Sequence, residues 1–111
     1  MTSLLLVDDS PFVLDELSRI AGGDGGFTVA GRARNGAAAL EMAERLRPDL
    51  ISLDVDMPLL NGLATLKQLM TRRPVPTVML SALTGAESPM TFECLRLGAV
   101  DVLEKPGGHD G

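Results

Sequence analysis

The chain predicts an α/β fold in which a parallel sheet carries helices on both faces. Three observations point there. Short apolar runs alternate with amphipathic stretches nearly five times over, the pattern of strands joined by crossover helices. The connections between them are short, as right-handed β/α units require. Helix starts are marked by Ser10-Pro11, Asn35 and Ser88-Pro89, and strand ends by acids or turn residues.

Taken in order, Leu4–Val7 is the first strand. Ser10 then caps a helix with Pro11 in its first turn, where a missing N–H costs nothing. Val13, Leu14, Leu17, Ile20 and Ala21 recur at helical spacing and define its buried face. The run Gly22-Gly23-Asp24-Gly25-Gly26 ends it as a loop, and Phe27–Ala33 is the second strand. Asn35 caps a second helix bearing Ala39, Leu40, Ala43 and Leu46, which Pro48 stops. Leu50–Leu53 is the third strand, followed by a loop over Asp54–Asn61 with turns at Met57-Pro58 and Asn61-Gly62. A third helix carries Leu63, Leu66, Leu69 and Met70 and ends near Arg73-Pro74. Thr77–Leu80 is the fourth strand, a fourth helix runs from Ser88-Pro89 to a C-cap at Gly98, and Val100–Leu103 is the fifth strand. Beyond Lys105-Pro106 the chain continues as Gly107-Gly108-His109-Asp110-Gly111, without a fifth helix.

Composition narrows what such a fold can do. At 111 residues the chain forms one domain, able to bury roughly two-thirds of the surface it exposes unfolded. Its hydrophobic fraction of 45% is met with three aromatics, Phe12, Phe27 and Phe92, so the core is aliphatic with Met42, Met70, Met79 and Met90 as fillers. A net charge of -5 argues against a nucleic-acid backbone as partner. No apolar stretch approaches the roughly 20 residues of a membrane helix, and none insertion-competent is expected. Cys94 stands alone, which suits a reducing cytoplasm and a small buried hydrophobe.

The chemistry lies at the strand ends. Asp8 and Asp9 close the first strand, Asp54 the third, Ser81 follows the fourth and Lys105 the fifth. Open parallel sheets bind ligands at this carboxyl edge, where strand order reverses. One acid after a strand is usually a turn former or a cap; the conjunction at four strand ends is what asks for chemistry. Three converging carboxylates repel unless a cation joins them, and an all-oxygen set suits Mg²⁺. Asp54 is then the candidate nucleophile, since a carboxylate can accept a phosphoryl group, with Asp9 and Asp54 holding the metal, Asp8 assisting, and Lys105 facing the anion. Ser81 offers a hydroxyl to a phosphoryl oxygen. His109 in its Gly-rich tail is a poor base, and Gly22–Gly26 lacks the ending of a phosphate-cradling loop.

Val7-Asp8-Asp9-Ser10, Leu53-Asp54-Val55-Asp56-Met57-Pro58 with Asn61-Gly62, Leu80-Ser81-Ala82 and Lys105-Pro106 together resemble a response-regulator receiver domain of two-component signalling, over residues 1–106, with 107–111 as the start of a linker or tail. That resemblance implies a flavodoxin-like doubly wound sheet of order 2-1-3-4-5 that lacks its fifth helix. It implies Asp54 as phosphoacceptor, a Mg²⁺ site formed by Asp8, Asp9, Asp54 and the backbone carbonyl of Asp56, a histidine kinase as phosphodonor, and a cis Lys105–Pro106 peptide. The stretches Ser81-Ala82-Leu83-Thr84-Gly85-Ala86-Glu87-Ser88 and Leu95-Arg96-Leu97-Gly98-Ala99-Val100-Asp101 resemble more narrowly the receivers of chemotaxis-type protein-glutamate methylesterases (CheB-like). A C-terminal esterase domain is the implied output. The chain itself holds no G-x-S-x-G elbow, so it is the regulatory part and not the esterase.

Two departures from the family pattern carry expectations. The switch aromatic three residues before the lysine is Val102, which points to signalling through residues 81–88 and the fourth helix. The missing fifth helix suggests a truncated chain, with apolar side chains bared along strand five and helix four and a tendency to dimerise. Three other readings compete: a stand-alone receiver with a different output, a haloacid-dehalogenase-type phosphohydrolase using Asp54-x-Asp56, and a structural interaction module with its acidic site unused. The phosphohydrolase leaves Asp8-Asp9 unexplained and meets Pro58 where Thr or Val is wanted, and the silent module leaves the filled site unexplained.

Overall fold

A computed structural model describes residues 2–23, 26–57, 61–82 and 89–105. In chain order the elements are β1 (Thr2–Val7), α1 (Pro11–Gly22), β2 (Phe27–Ala33), α2 (Gly36–Leu46), β3 (Leu50–Asp54), α3 (Gly62–Arg72), β4 (Thr77–Ser81), α4 (Pro89–Arg96) and β5 (Asp101–Glu104). The strands form one parallel sheet of order β2-β1-β3-β4-β5. The chain therefore steps outward from β1 to β2 and crosses back to β3. The connections after β1 and β3 leave in opposite directions and open a crevice at their carboxyl ends.

The caps at Ser10 and Asn35 are those the sequence announces, and Asn61, read there as a turn residue, caps α3. Ser10 Oγ accepts from the Val13 N–H at 3.3 Å, Asn35 Oδ1 from Ala38 at 2.8 Å, and Asn61 Oδ1 from Ala64 at 2.9 Å. Strand bounds differ at the ends. β1 begins at Thr2 because Thr2 and Ser3 find partners in Phe27 and Thr28, and β5 is Asp101–Glu104 because those residues pair with Val78 through Ser81. Ladder pairing extends into polar residues that an apolar run does not reveal.

Alternation in the strands fills both faces. Leu5, Val7, Ile51, Leu53 and Met79 face a large cluster shared with α2, α3 and α4. Leu4 and Leu6 face a smaller one with Leu14 and Ala21 of α1. Among the described residues, three helices thus cover one face of the sheet and one helix covers the other. Ile20, on the predicted buried stripe of α1, is 50% exposed for this reason. It borders an open apolar groove of ≈ 240 Å³ with Leu17, Leu50, Val78, Leu80 and Leu103 in its walls. Phe92, Leu95, Val100 and Leu103 are also exposed, the baring expected along helix four and strand five.

One contact fixes the corner between β3 and α3. The Gly62 N–H donates to the Val55 carbonyl at 2.9 Å, and the Gly62 Cα lies so close to the end of β3 that a Cβ would sit 2.7 Å from Val55 Cα and closer still to the Asp54 carbonyl oxygen. Both obstacles are backbone, so neither can swing away. Gly62→Ala should destabilise the fold by about 1–3 kcal/mol through overpacking and shift the amide resonances of Asp54 to Asp56. Urea unfolding and a ¹H–¹⁵N spectrum check both, and parental values for each would refute the steric account.

Candidate functional site

β1 and β3 run in register, Val7 beside Leu53, so their last residues emerge together. Asp8 is fully buried. Its N–H donates to the Ala33 carbonyl at 3.0 Å, tying it to β2. Its Oδ1 accepts from the Ser10 N–H at 2.9 Å, tying it to the start of α1. Asp54, also fully buried, uses Oδ1 to accept from the Asp56 N–H at 3.1 Å and from Lys105 Nζ at 2.9 Å. Lys105 reaches this point because its N–H donates to the Ser81 carbonyl at 2.9 Å, continuing the β4–β5 ladder by one residue.

Lys105 Nζ also stands 3.2 Å from Asp8 Oδ2. That contact is an ion pair by distance, and Asp8 Oδ2 is buried with no geometrically well-formed hydrogen bond among the described residues. Among the described residues Asp54 Oδ2 is likewise buried with no hydrogen-bond partner. One ammonium is therefore shared between two buried carboxylates. Burial pushes the Asp54 carboxyl up to about 6, with Asp8 adding repulsion, against the pull of Lys105 and the Asp56 N–H. Asp8 is also raised, by burial, although the Ser10 N–H and Lys105 oppose it. Burial works against the Lys105 charge, but its bond to Asp54 and the field of both acids outweigh it, and its pKa is raised.

Asp8, Asp9 and Asp54 each present one carboxylate oxygen, and all three oxygens lie within 4.8 Å of one another. Beside them Asp9, Asp56, Met57 and Asn61 line a cleft of ≈ 320 Å³. The fit to a hard cation can be judged on this geometry: the donor set is all oxygen, and Asp54 Oδ2 is a buried acceptor that none of the described residues satisfies. Such a group costs free energy until a cation or donor reaches it. The residues fit Mg²⁺.

The edge thus gathers the sequence candidates Asp8, Asp9, Asp54, Asp56, Ser81 and Lys105. Ser81 is buried at the end of β4. Val102 is half-buried opposite Met79 and packs on the larger cluster. The Pro106 peptide expected to be cis, Pro58, residues 83–88 and the 107–111 tail lie outside the described residues. Two participants were not foreseen. Gly62 sets the corner beneath Asp54, and Arg34 donates to the Asp9 carbonyl at 3.3 Å. A search for cations directly after a strand would have found Arg34, since it follows the last residue of β2.

A doubly wound α/β domain with an acidic cluster and a partly buried lysine at its switch point is the class of molecule these features define. A family model for the response regulator receiver domain matches residues 4–110, and the chain belongs to that family. It is 45% identical over 108 residues to a protein-glutamate methylesterase/protein-glutamine glutaminase of Bacillus licheniformis, covering 97% of this chain and 30% of that protein. A Pyrococcus horikoshii protein of the same name is 45% identical over 103 residues, or 93% and 28% of the two chains. The chain thus spans about three-tenths of the length of these curated relatives. The response regulator domain of Thermotoga maritima CheB superposes with a TM-score of 0.92 at 41% identity, covering 97% of this chain and 81% of that one. A CheX–CheY–BeF₃–Mg²⁺ complex from Borrelia burgdorferi contains a chain that superposes at 0.85 with 29% identity, covering 95% of this chain and 78% of that one. No helix among the described residues is long and apolar enough to cross a membrane.

The raised carboxyl of Asp54 has a stability consequence in the absence of metal. Its folded pKa lies above the unfolded value of 3.8, so the folded state holds the proton longer. The contribution of Asp54 to stability is then greatest in acid, falls as pH rises from about 4 through about 6, and stays lower above that, by up to about 3 kcal/mol. In EDTA, Asp54→Asn should be more stable than the parent near neutral pH by about 1–3 kcal/mol, with the difference closing toward about pH 4. Urea titrations across that range check it, and a pH-independent difference would contradict it.

Proposed function

We propose that this chain is the phosphoacceptor receiver of a two-component response regulator, taking a phosphoryl group from a histidine kinase onto Asp54 to regulate a protein-glutamate methylesterase output. The observation that carries this reading is the buried Asp54 carboxylate: one oxygen is held by Lys105 and the Asp56 N–H, and the other has no hydrogen-bond partner among the described residues and sits in a cluster of three acids. In the transfer an Asp54 oxygen forms its bond to phosphorus as the phosphorus–nitrogen bond of the donor breaks, and the electron pair leaves with the imidazole. Catalysis of such a step is mainly positioning and charge neutralisation.

Asp9, Asp54 and the Asp56 carbonyl, with Asp8 assisting, are the residues that would hold Mg²⁺, which supplies positive charge to the phosphoryl oxygens and favours ionised Asp54. Asp54 holds its geometry through the Asp56 N–H and the Gly62 corner. Lys105, already between Asp8 and Asp54, turns its ammonium toward the new phosphoryl oxygens, and Ser81 brings a hydroxyl from β4. On this reading the receiver occupies residues 1–106, and 107–111 are the start of a linker or tail. The names and greater length of the relatives support an esterase output, and the Borrelia complex with BeF₃ and Mg²⁺ supports a metal-assisted phosphoryl site on this fold.

Incubation with acetyl phosphate and Mg²⁺ should add one phosphoryl group to the intact protein, with no addition in EDTA or in Asp54→Asn. Intact-protein mass spectrometry reads this directly. An adduct that persists in Asp54→Asn would move the acceptor elsewhere, and a parent left unmodified while turning over a general phosphomonoester would favour the phosphohydrolase. Val102 cannot swing as an aromatic would, so the signal passes through residues 81–88 and α4. Beryllofluoride with Mg²⁺ should shift the α4 amide resonances, and α4 signals that stay put would exclude that route.

A further inference from the structure

The charge at the catalytic edge does not balance without a residue that the reading above leaves unused. The chain has ten lysines and arginines. Arg19, Arg32, Arg45 and Arg96 are each paired with a carboxylate on their own stretch of surface. Arg47 stands where α2 ends and Arg72 and Arg73 where α3 ends, at the far edge of the parallel sheet, and Lys67 lies within α3. Lys105 is committed to Asp8 and Asp54. That leaves Arg34. It follows Ala33, the last residue of β2, whose carbonyl takes the Asp8 N–H, and it precedes Asn35, the cap of α2. Its backbone is thereby fixed at the edge that carries the acids. Its exposed guanidinium donates to the Asp9 carbonyl at 3.3 Å, and it makes no carboxylate ion pair among the described residues.

We propose that Arg34 is the docking cation for the phosphodonor: it receives the anionic phosphoryl group at the mouth of the cleft and so sets donor affinity, an inference that rests on the receiver reading. The reasoning is electrostatic. Asp8, Asp9, Asp54 and Asp56 bring four negative charges, and Lys105 with a divalent ion offsets three of them. An incoming phosphoryl dianion still meets net negative charge, which slows its approach. Arg34 cancels the remainder from a position where it touches the backbone of Asp9 and leaves all three clustered carboxylate oxygens to the cation. A guanidinium is also suited to phosphoryl oxygens, because its planar fork can donate two hydrogen bonds at once.

The same charge acts with opposite sign on the two ligands, and that separates docking from a merely structural role. In Arg34→Ala the half-saturating acetyl phosphate concentration should rise roughly three- to tenfold, while Mg²⁺ alone, titrated calorimetrically, should bind as tightly or about twofold more tightly. Arg34→Lys should recover most of the donor affinity. Arg72→Ala, which makes the same change in net charge at the far edge, should leave both constants unaltered. The Arg34→Ala defect should shrink at high salt. Parental half-saturation in Arg34→Ala, an equal defect in Arg72→Ala, or weakened Mg²⁺ binding would overturn the assignment while the receiver reading stands. A parent that accepts no phosphoryl group at all would overturn both.

Discussion

Two carboxylates buried against a single ammonium are the constraint on which the rest of this molecule turns. Asp8 and Asp54 are both withdrawn from water, and Lys105 divides its charge between them. A pair of acids in that position is tolerable only if neighbouring backbone groups take up some of the charge. The Ser10 and Asp56 N–H groups do so, each borrowed from a turn that starts or follows a major element. The cost that is left shows in the raised carboxyl of Asp54. A domain relieved of this pair would be more stable and would lose the buried acceptor that gives the edge its chemistry. Local strain of this sort is characteristic of functional sites.

The arrangement depends on connectivity more than on any residue alone. Because the chain crosses from β2 back to β3, β1 and β3 become neighbours that carry their acids out at one level. β4 and β5 then extend the same edge, and the bond from the Lys105 N–H to Ser81 places the ammonium opposite the acids. Aliphatic packing on both faces keeps these strands in register, since a slip by one residue would turn Leu5, Val7, Ile51 and Leu53 away from the larger cluster.

Much of this was legible from sequence, and for identifiable reasons. Caps at Ser10 and Asn35 and apolar periodicity marked the helices, because both signals are local, whereas Asn61, which caps α3, read as a turn. The acids were conspicuous since each closes an apolar run. What escaped notice was interaction across the fold. Strand ends at Thr2 and Glu104 depend on partners twenty or more residues away. The steric role of Gly62 depends on how closely α3 approaches β3, and a glycine after Asn61 otherwise resembles an ordinary turn. Ile20 fits a buried stripe by periodicity and is half exposed because a single helix lies on that face. Ser52 is a similar case: a hydroxyl in an apolar strand, buried on the wall of the groove with no hydrogen-bond partner among the described residues.

The crowded corner at Gly62 makes the site mechanically lopsided. On the β3–α3 side, backbone meets backbone with no room for even a methyl group. On the opposite side stand Lys105 on its flexible stem and the ends of β4 and β5, where side chains can reorient. Bulk added to Asp54 therefore finds a hard wall behind it and a compliant one in front, so displacement travels outward through β4 and β5 rather than back into the core.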